Sequence, residues 1–536
     1  MTNTARLGIP VRLLVALVLV VSVGCSSIPA ETAPAELHAA NFVPADTWFF
    51  AQVTLRPSLS QLANATRLAS AFSRQRDWEA YVNDLGSSST GTAPSDVLSL
   101  LDGEVAIAAF GPSSTSTDIP HYVVLAHSPD PDHLLRVLLQ PDSEVRGTPV
   151  LPRPRKDPHG ANIYTSPLSH GLATFRGWLI LADSQQDLND ALDRISGTVN
   201  SRSLNDEPHF KKLVDRLPVD RLGLEYVDTG ALLRSVAWDL PMNEAGVPPE
   251  SQALLSKVQS QAALSFAAVS NGLEIHLEGT TQVPPDLAGE AAAELADLGD
   301  PGDAFGHLPA DTLVAFGTGL PMLTPEIDDA LNAELQQAAD ELDVPELAAL
   351  EVHPSQWLAG PIAVGANAGE AGSTPNVFLV AQVSDPAAAG EDLDKVTGLF
   401  PPKSVNTLSI ADNTFFQAPL SDTDDQSLTY GLADDWLYAV NGDAESVVNA
   451  ADTGGLTENP RFANLQSTLG SEPINVFADI QGIRELATSM FEPGERQTYN
   501  DEIGPLLNPL TFFGGSLRSD ANGDVHGHFV LGVGGM

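Results

Sequence analysis

Apolar positions along this chain recur in two periods, and the periods take turns. Residues 48–55 alternate loosely and carry aromatic and β-branched side chains, which predicts a strand. Leu62, Ala65, Ala69 and Phe72 then recur at helical spacing behind Ser58, a suitable cap. The pattern continues with strands over 105–110 and 122–126, a short helix over 132–139, and paired strands over 172–175 and 178–181. Helices over 185–195 and 208–217, a strand over 222–227 and a helix from about 229 come next. The stretch closes with two strands, 264–269 and 273–277, around Asn271-Gly272, a dipeptide suited to a tight type I′ turn.

Much of this succession then returns. Pro44-Ala45-Asp46-Thr47 is matched by Pro309-Ala310-Asp311-Thr312, and Leu101-Asp102-Gly103 by Leu358-Ala359-Gly360. Gly171-Leu172-Ala173 with Trp178 is matched by Gly431-Leu432-Ala433 with Trp436. Pro208-His209-Phe210, Tyr226-Val227-Asp228 and Asn271-Gly272 reappear as Pro460-Arg461-Phe462, Phe477-Ala478-Asp479 and Asn522-Gly523. In the second stretch a helix opens at Thr324-Pro325-Glu326, and its stripe of Ile327, Leu331, Leu335, Ala338 and Leu342 is expected to face a core. Strands over 362–365 and 377–383 and a helix over 387–399 follow. Strands in adjacent pairs with helices between them predict an α+β protein: two tandem copies of one unit, each a mainly antiparallel sheet faced by helices. The copies are expected over 41–282 and 304–536, joined by a connector over 283–303.

The N-terminus adds an address. Arg6 and Arg12 precede an apolar run from Leu13 to Val23, too short to span a bilayer and suited to a signal peptide over 1–24. Cys25, the only cysteine, follows within Ser22-Val23-Gly24-Cys25-Ser26-Ser27, which resembles a bacterial lipobox. That resemblance implies cleavage before Cys25 and a lipid on its thiol, with residues 25–40 as a flexible tether. One cysteine also excludes an internal disulfide.

Charge narrows the partners. The chain has 70 Asp and Glu against 26 Lys and Arg, a net charge of −44. Nucleic acid and anionic surfaces are disfavoured, because binding them needs Lys and Arg. The one basic cluster, Arg153-Pro154-Arg155-Lys156, lies among prolines and predicts a loop or edge.

Motifs for chemistry are sparse. The chain lacks Gly-x-Ser-x-Gly, His-Glu-x-x-His and a phosphate-binding glycine loop. Asp520, Asn522 and Asp524 resemble the start of a calcium loop, but Leu531 stands where the last acidic ligand belongs. His526 and His528 share a strand face and offer two metal ligands without a third. Asp130, Asp132 and His133 read better as a proline-ruled turn and helix cap than as a cation site. Asp228 and Asp479 read as N-caps, and Asp46 and Asp311 as Asx-turn residues. No catalytic, cofactor or metal site is predicted.

The entry segment, from Val43-Pro44-Ala45-Asp46-Thr47-Trp48 to Arg56-Pro57-Ser58, resembles an uncharacterised family of exported bacterial proteins that open with Leu-Pro-Ala-Asp-Thr before a strand. The resemblance implies an extracytoplasmic, membrane-anchored protein and brings no catalytic residues. The expected function is that of a non-enzymatic cell-membrane or outer-membrane lipoprotein, bound to the membrane by its lipid and to an unknown ligand or envelope protein by its body. The alternatives are an extracytoplasmic hydrolase with a dispersed acidic site, metal-dependent or metal-free, which predicts clustered carboxylates of perturbed pKa, and an envelope chaperone or assembly factor, which predicts an exposed apolar groove.

Overall fold

The computed structural model describes residues 38–73, 97–111, 121–138, 153–165, 171–198, 202–231, 259–282, 299–320, 323, 325–342, 350–369, 375–400, 404–419, 427–520 and 524–534. The signal peptide, Cys25 and the Asn522-Gly523 turn lie outside these residues. The chain forms two compact units. Unit 1 takes residues up to 287 with 501–509 and 533–536, and unit 2 takes 288–500 with 510–532.

Both units are α+β and antiparallel. Unit 1 holds β1 (Thr47–Thr54), β2 (Glu104–Phe110), β3 (His121–His127), β4 (Arg155–Lys156), β5 (Asn162–Thr165), β6 (Gly171–Phe175), β7 (Trp178–Ala182), β8 (Gly223–Asp228), β9 (Gln259–Val269) and β10 (Gly272–Gln282). Their order across the sheet is β4-β5-β6-β7-β3-β2-β1-β8-β9-β10. The basic cluster thus ends in the short exposed edge strand β4. Its helices include α1 (Leu59–Ser73), α2 (Pro131–Leu138), α3 (Gln185–Ser196) and α4 (Pro208–Val214).

Unit 2 holds β11 (Val314–Leu320), β12 (Leu358–Asn367), β13 (Asn376–Val383), β14 (Asn406–Ile410), β15 (Asn413–Pro419), β16 (Ser427–Ala433), β17 (Trp436–Asn441), β18 (Val476–Ala478), β19 (Leu510–Ser519) and β20 (Asp524–Val533). They run in the order β14-β15-β16-β17-β13-β12-β11-β18-β19-β20. Its helices include α5 (Pro325–Leu342), α6 (Pro386–Thr397), α7 (Ala444–Val448), α8 (Pro460–Leu469) and α9 (Ile480–Met490).

The recurring motifs have structural duties. Thr47 closes a turn on the Pro44 carbonyl through its hydroxyl (2.6 Å) and N–H, and Thr312 does the same at Pro309 (2.6 Å). The threonines, rather than the expected Asx-turns of Asp46 and Asp311, therefore shape these strand entrances. Phe210 packs edge-on against Phe50 and Tyr226 in the unit 1 core, and Phe462 packs against Phe305 and Phe477 in unit 2. Asp228 and Asp479 cap helices as expected, accepting from the Ala231 and Gly482 N–H groups.

Two expectations need correction. The β9–β10 connection consists of Ser270 and Asn271, with Gly272 already opposite Val269 in the ladder, so the turn sits one residue earlier than the Asn-Gly reading. Along α5 the expected core stripe fails at Leu331, which is 39% exposed, while Leu335 is half-buried and Asp328 is buried; the side chains of Ile327, Ala338 and Leu342 lie outside those described. Asp328 accepts from the backbone N–H (2.8 Å) and hydroxyl of Ser355, and Asn332 bonds both N–H and carbonyl of Val352.

Candidate functional site

Successive residues of a strand face opposite sides of a sheet, so each sheet has two faces to cover. In unit 2 the core face takes small residues from β11 and β12, because aromatic rings need the room. A Cβ on Gly317 would meet Phe305 at 2.8 Å, and one on Gly365 would meet Phe378 at 2.4 Å. The large residues of those strands point the other way. Residues directly opposite one another share a face, so the register defines two apolar rows there. One runs Phe513, Ala478, Val314, Ala366 and Val377, ending at Asn441. The other runs Gly515, Val476, Phe316, Val364, Leu379 and Ala439.

These rows are open to solvent at their centre. Val314 is 42% exposed, Phe316 45%, Val364 40% and Val377 48%. Phe529 lies over Gly515 and stacks on Phe513 (5.7 Å between centroids) at the β19 end. Farther along the strands the same face is closed, where Trp357, Val383 and Ala389 bury a small cluster with Leu437. The rows cross six strands, about 24 Å at the usual strand spacing, and their exposed residues lie on the central three, β11, β12 and β13. Contiguous exposed apolar surface of this kind marks interaction sites. In unit 1 the matching face carries Phe49, Ala51, Ile107 and Val124, all half-buried.

Unit 1 instead concentrates unusual titratable groups. Glu104, 6% exposed, accepts from the Ala39 N–H (3.0 Å) and from the Gln52 amide. Burial pushes its carboxyl up to about 7 against those two hydrogen bonds. Ala39 and Ala40, at the end of the segment read as a tether, are fully buried in the core of this unit. His121 Nδ1 lies 2.7 Å from Asp187 Oδ2, and Ser184, the N-cap of α3, donates to the same carboxylate oxygen (2.6 Å). His121 Nε2 is buried without a hydrogen-bond partner among the described residues. In unit 2, β13 opens not with histidine but with Asn376, which donates to Asn367. The serine is spent on the aspartate rather than the imidazole, so no nucleophile is activated here.

Burial also raises Glu225 and Asp190, the latter helped by Asp187 and Asp193. Glu104, Glu225 and Asp190 sit on β2, β8 and α3, and none perturbs another. Clustered carboxylates of raised pKa, which a dispersed acidic active site requires, are therefore not found among the described residues.

The other sequence-picked residues are tied up locally. Asp130 caps α2 by accepting from His133 N–H (2.9 Å), while Asp132 accepts from Tyr164 (2.8 Å) and Thr174 (2.5 Å). Burial of Asp132 is outweighed by these bonds, the Asn162 amide and Arg136, and its carboxyl lies below the usual range. Asp524 N–H donates to Asp520 (2.9 Å), a hairpin arrangement rather than a calcium loop. His528 contacts Glu472 at 3.0 Å. Gly514 and Gly515 allow close packing: a Cβ on Gly514 would meet Leu465 at 2.3 Å. The open face was missed because alternation alone does not say which side is covered. The available signal was the inverted size pattern of Val314-Ala315-Phe316-Gly317, with the large residues facing out.

A family model for a protein of unknown function, DUF3352, matches residues 8–532. The chain belongs to this family. No curated protein matches it. Among solved structures, crystal forms III and IV of TP0453 are each 11% identical to this DUF3352 chain. They cover 49% and 47% of it, and 85% and 81% of their own chains, with TM-scores of 0.27 and 0.26, a similarity too loose to define a shared fold. No helix among the described residues is long and apolar enough to cross a membrane.

Proposed function

We propose that this DUF3352 protein is a non-enzymatic, extracytoplasmic lipoprotein, tethered through Cys25, that holds an apolar partner surface against the open face of unit 2. The observation that carries the reading is the group of Val314, Phe316, Val364 and Val377 on three neighbouring strands, each at least 40% exposed. Large apolar patches left open on a soluble body are characteristic of interaction sites. The export reading is supported by the short apolar N-terminal run and the placement of the only cysteine. A tandem duplication is supported by the shared strand order and by the matched Thr47 and Thr312 turns.

Two measurements test this. The chain taken from its cell envelope should begin at Cys25 with a diacylglyceryl mass, and Cys25→Ser should move it to the soluble fraction. The purified mature chain should enhance the fluorescence of a hydrophobic dye, and Phe316→Ser with Val364→Thr should remove most of that gain. Dye fluorescence indifferent to these substitutions would sink the binding face, and a processed N-terminus without lipid would sink the anchor.

A further inference from the structure

The open face has a shape as well as a polarity. Its two rows are separated along each strand by two residues, about 7 Å, and extend about 24 Å across the strands, exposed on the central three and mostly half-buried beyond them. That stripe is long and narrow, and it matches the apolar side of one α-helix, which is about 10 Å across and covers 24 Å in about 16 residues. The charge of unit 2 is one-sided. Unit 2 carries 37 Asp and Glu against 6 Lys and Arg. Among the described residues, Arg461 lies 2.6 Å from Asp479 and Lys395 lies 2.7 Å from Asp392.

Resting on the binding role proposed for this face, we infer that its partner is an amphipathic α-helix of about four turns whose polar side is basic. The apolar side would lie across β11, β12 and β13 over Phe316 and Val364. Its Lys and Arg would face the acidic body, gaining a faster approach from the long-range field and discrimination against acidic partners. An anionic membrane, the other apolar surface within reach of a lipidated protein, would be repelled by the same charge.

The test uses the full mature chain and labelled 16-residue peptides read by fluorescence anisotropy. One peptide is an amphipathic Leu/Lys helix, the second its Leu/Glu counterpart, the third the Leu/Lys composition scrambled to lose its apolar side. The first should bind at least tenfold tighter than the other two. Phe316→Ser with Val364→Thr should weaken it at least tenfold, and Val377→Ser alone should weaken it measurably. Raising NaCl should weaken it as well. Equal binding of the Leu/Lys and Leu/Glu helices would overturn the basic-helix assignment while leaving an apolar binding face intact. Leu/Lys binding indifferent to the face substitutions would place the peptide elsewhere on the acidic surface and overturn it too. So would capture of phosphatidylglycerol vesicles that depends on Phe316 and Val364. Failure of all peptides together with the dye would instead remove the binding face itself.

Discussion

At the scale of single residues, Glu104 has the clearest thermodynamic signature. An unfolded chain releases this proton near 4.5, whereas burial in unit 1 keeps it to about 7. Between those values the folded state binds the proton and the unfolded state does not. Stability from this group is therefore complete below 4.5, falls by roughly 3 kcal/mol as pH rises to about 7, and is level above that. Glu104→Gln keeps an acceptor for the Ala39 N–H and has nothing to ionise. The difference in unfolding free energy between the variant and the parent should grow in the variant's favour across this window, approaching roughly 3 kcal/mol by pH 8. Denaturant titrations at several pH values measure it, and parallel profiles for the two proteins would refute the assignment. Taking the difference isolates Glu104 from His307, whose burial lowers its pKa and gives the opposite slope as pH falls below its ordinary 6.5.

At the scale of elements, much was legible in the sequence because the signals were local. Strand alternation gave β1, β2, β3, β6 and β7 to within about a residue or two, and Ser58, Asp228 and Asp479 cap helices where expected. The failures have tertiary causes. The β14–β15 hairpin turns on Ala411 and Asp412, both at positive φ, without the Asn-Gly or Asp-Gly signal that usually announces such a turn. In α5, Asp328 and Asn332 find partners in residues 352–355, far along the chain, while Leu331 stays exposed. The same segment depends on Asp392 of α6, which accepts from Trp357 Nε1 (2.9 Å), His353 N–H (2.7 Å) and Lys395 (2.7 Å). Burial opposes ionisation of this carboxyl, but the bonds from Lys395, His353 and Trp357 prevail and hold it below the usual range. Asp392→Ala leaves the buried indole N–H without an acceptor and should cost about 2–3 kcal/mol. Hydrogen exchange at His353 should accelerate by at least tenfold, while exchange in the unit 1 strands stays unchanged. Unaltered protection of His353 would mean that Asp328 and Asn332 hold the segment without help from α6.

At the scale of the whole molecule, charge is unevenly shared, and this makes ionic strength a discriminating variable. Unit 1 carries 33 Asp and Glu against 20 Lys and Arg, unit 2 carries 37 against 6. A compact body with so little cationic balance repels itself, and the repulsion is relieved on unfolding. Salt shortens the reach of these interactions to about 10 Å at 0.1 M and about 3 Å at 1 M. Screening should therefore stabilise unit 2 more than unit 1. Unfolding of each unit can be followed separately by hydrogen exchange with peptide-level readout in denaturant, from low salt to 1 M NaCl. The midpoint for peptides of β12, β13 and β17 should rise more steeply with salt than that for peptides of β2, β3 and β7. If the two sets rise together, NaCl is acting through general exclusion or hydration rather than through charge. The comparison also bears on the basic helix inferred above: a bound cationic partner would neutralise part of the same excess. Adding the Leu/Lys peptide at low salt should raise the unit 2 midpoint and flatten its salt dependence, while the unit 1 midpoint stays where it was. A peptide that shifts both units equally would be titrating surface carboxylates at large, and the open face would have no part in its effect.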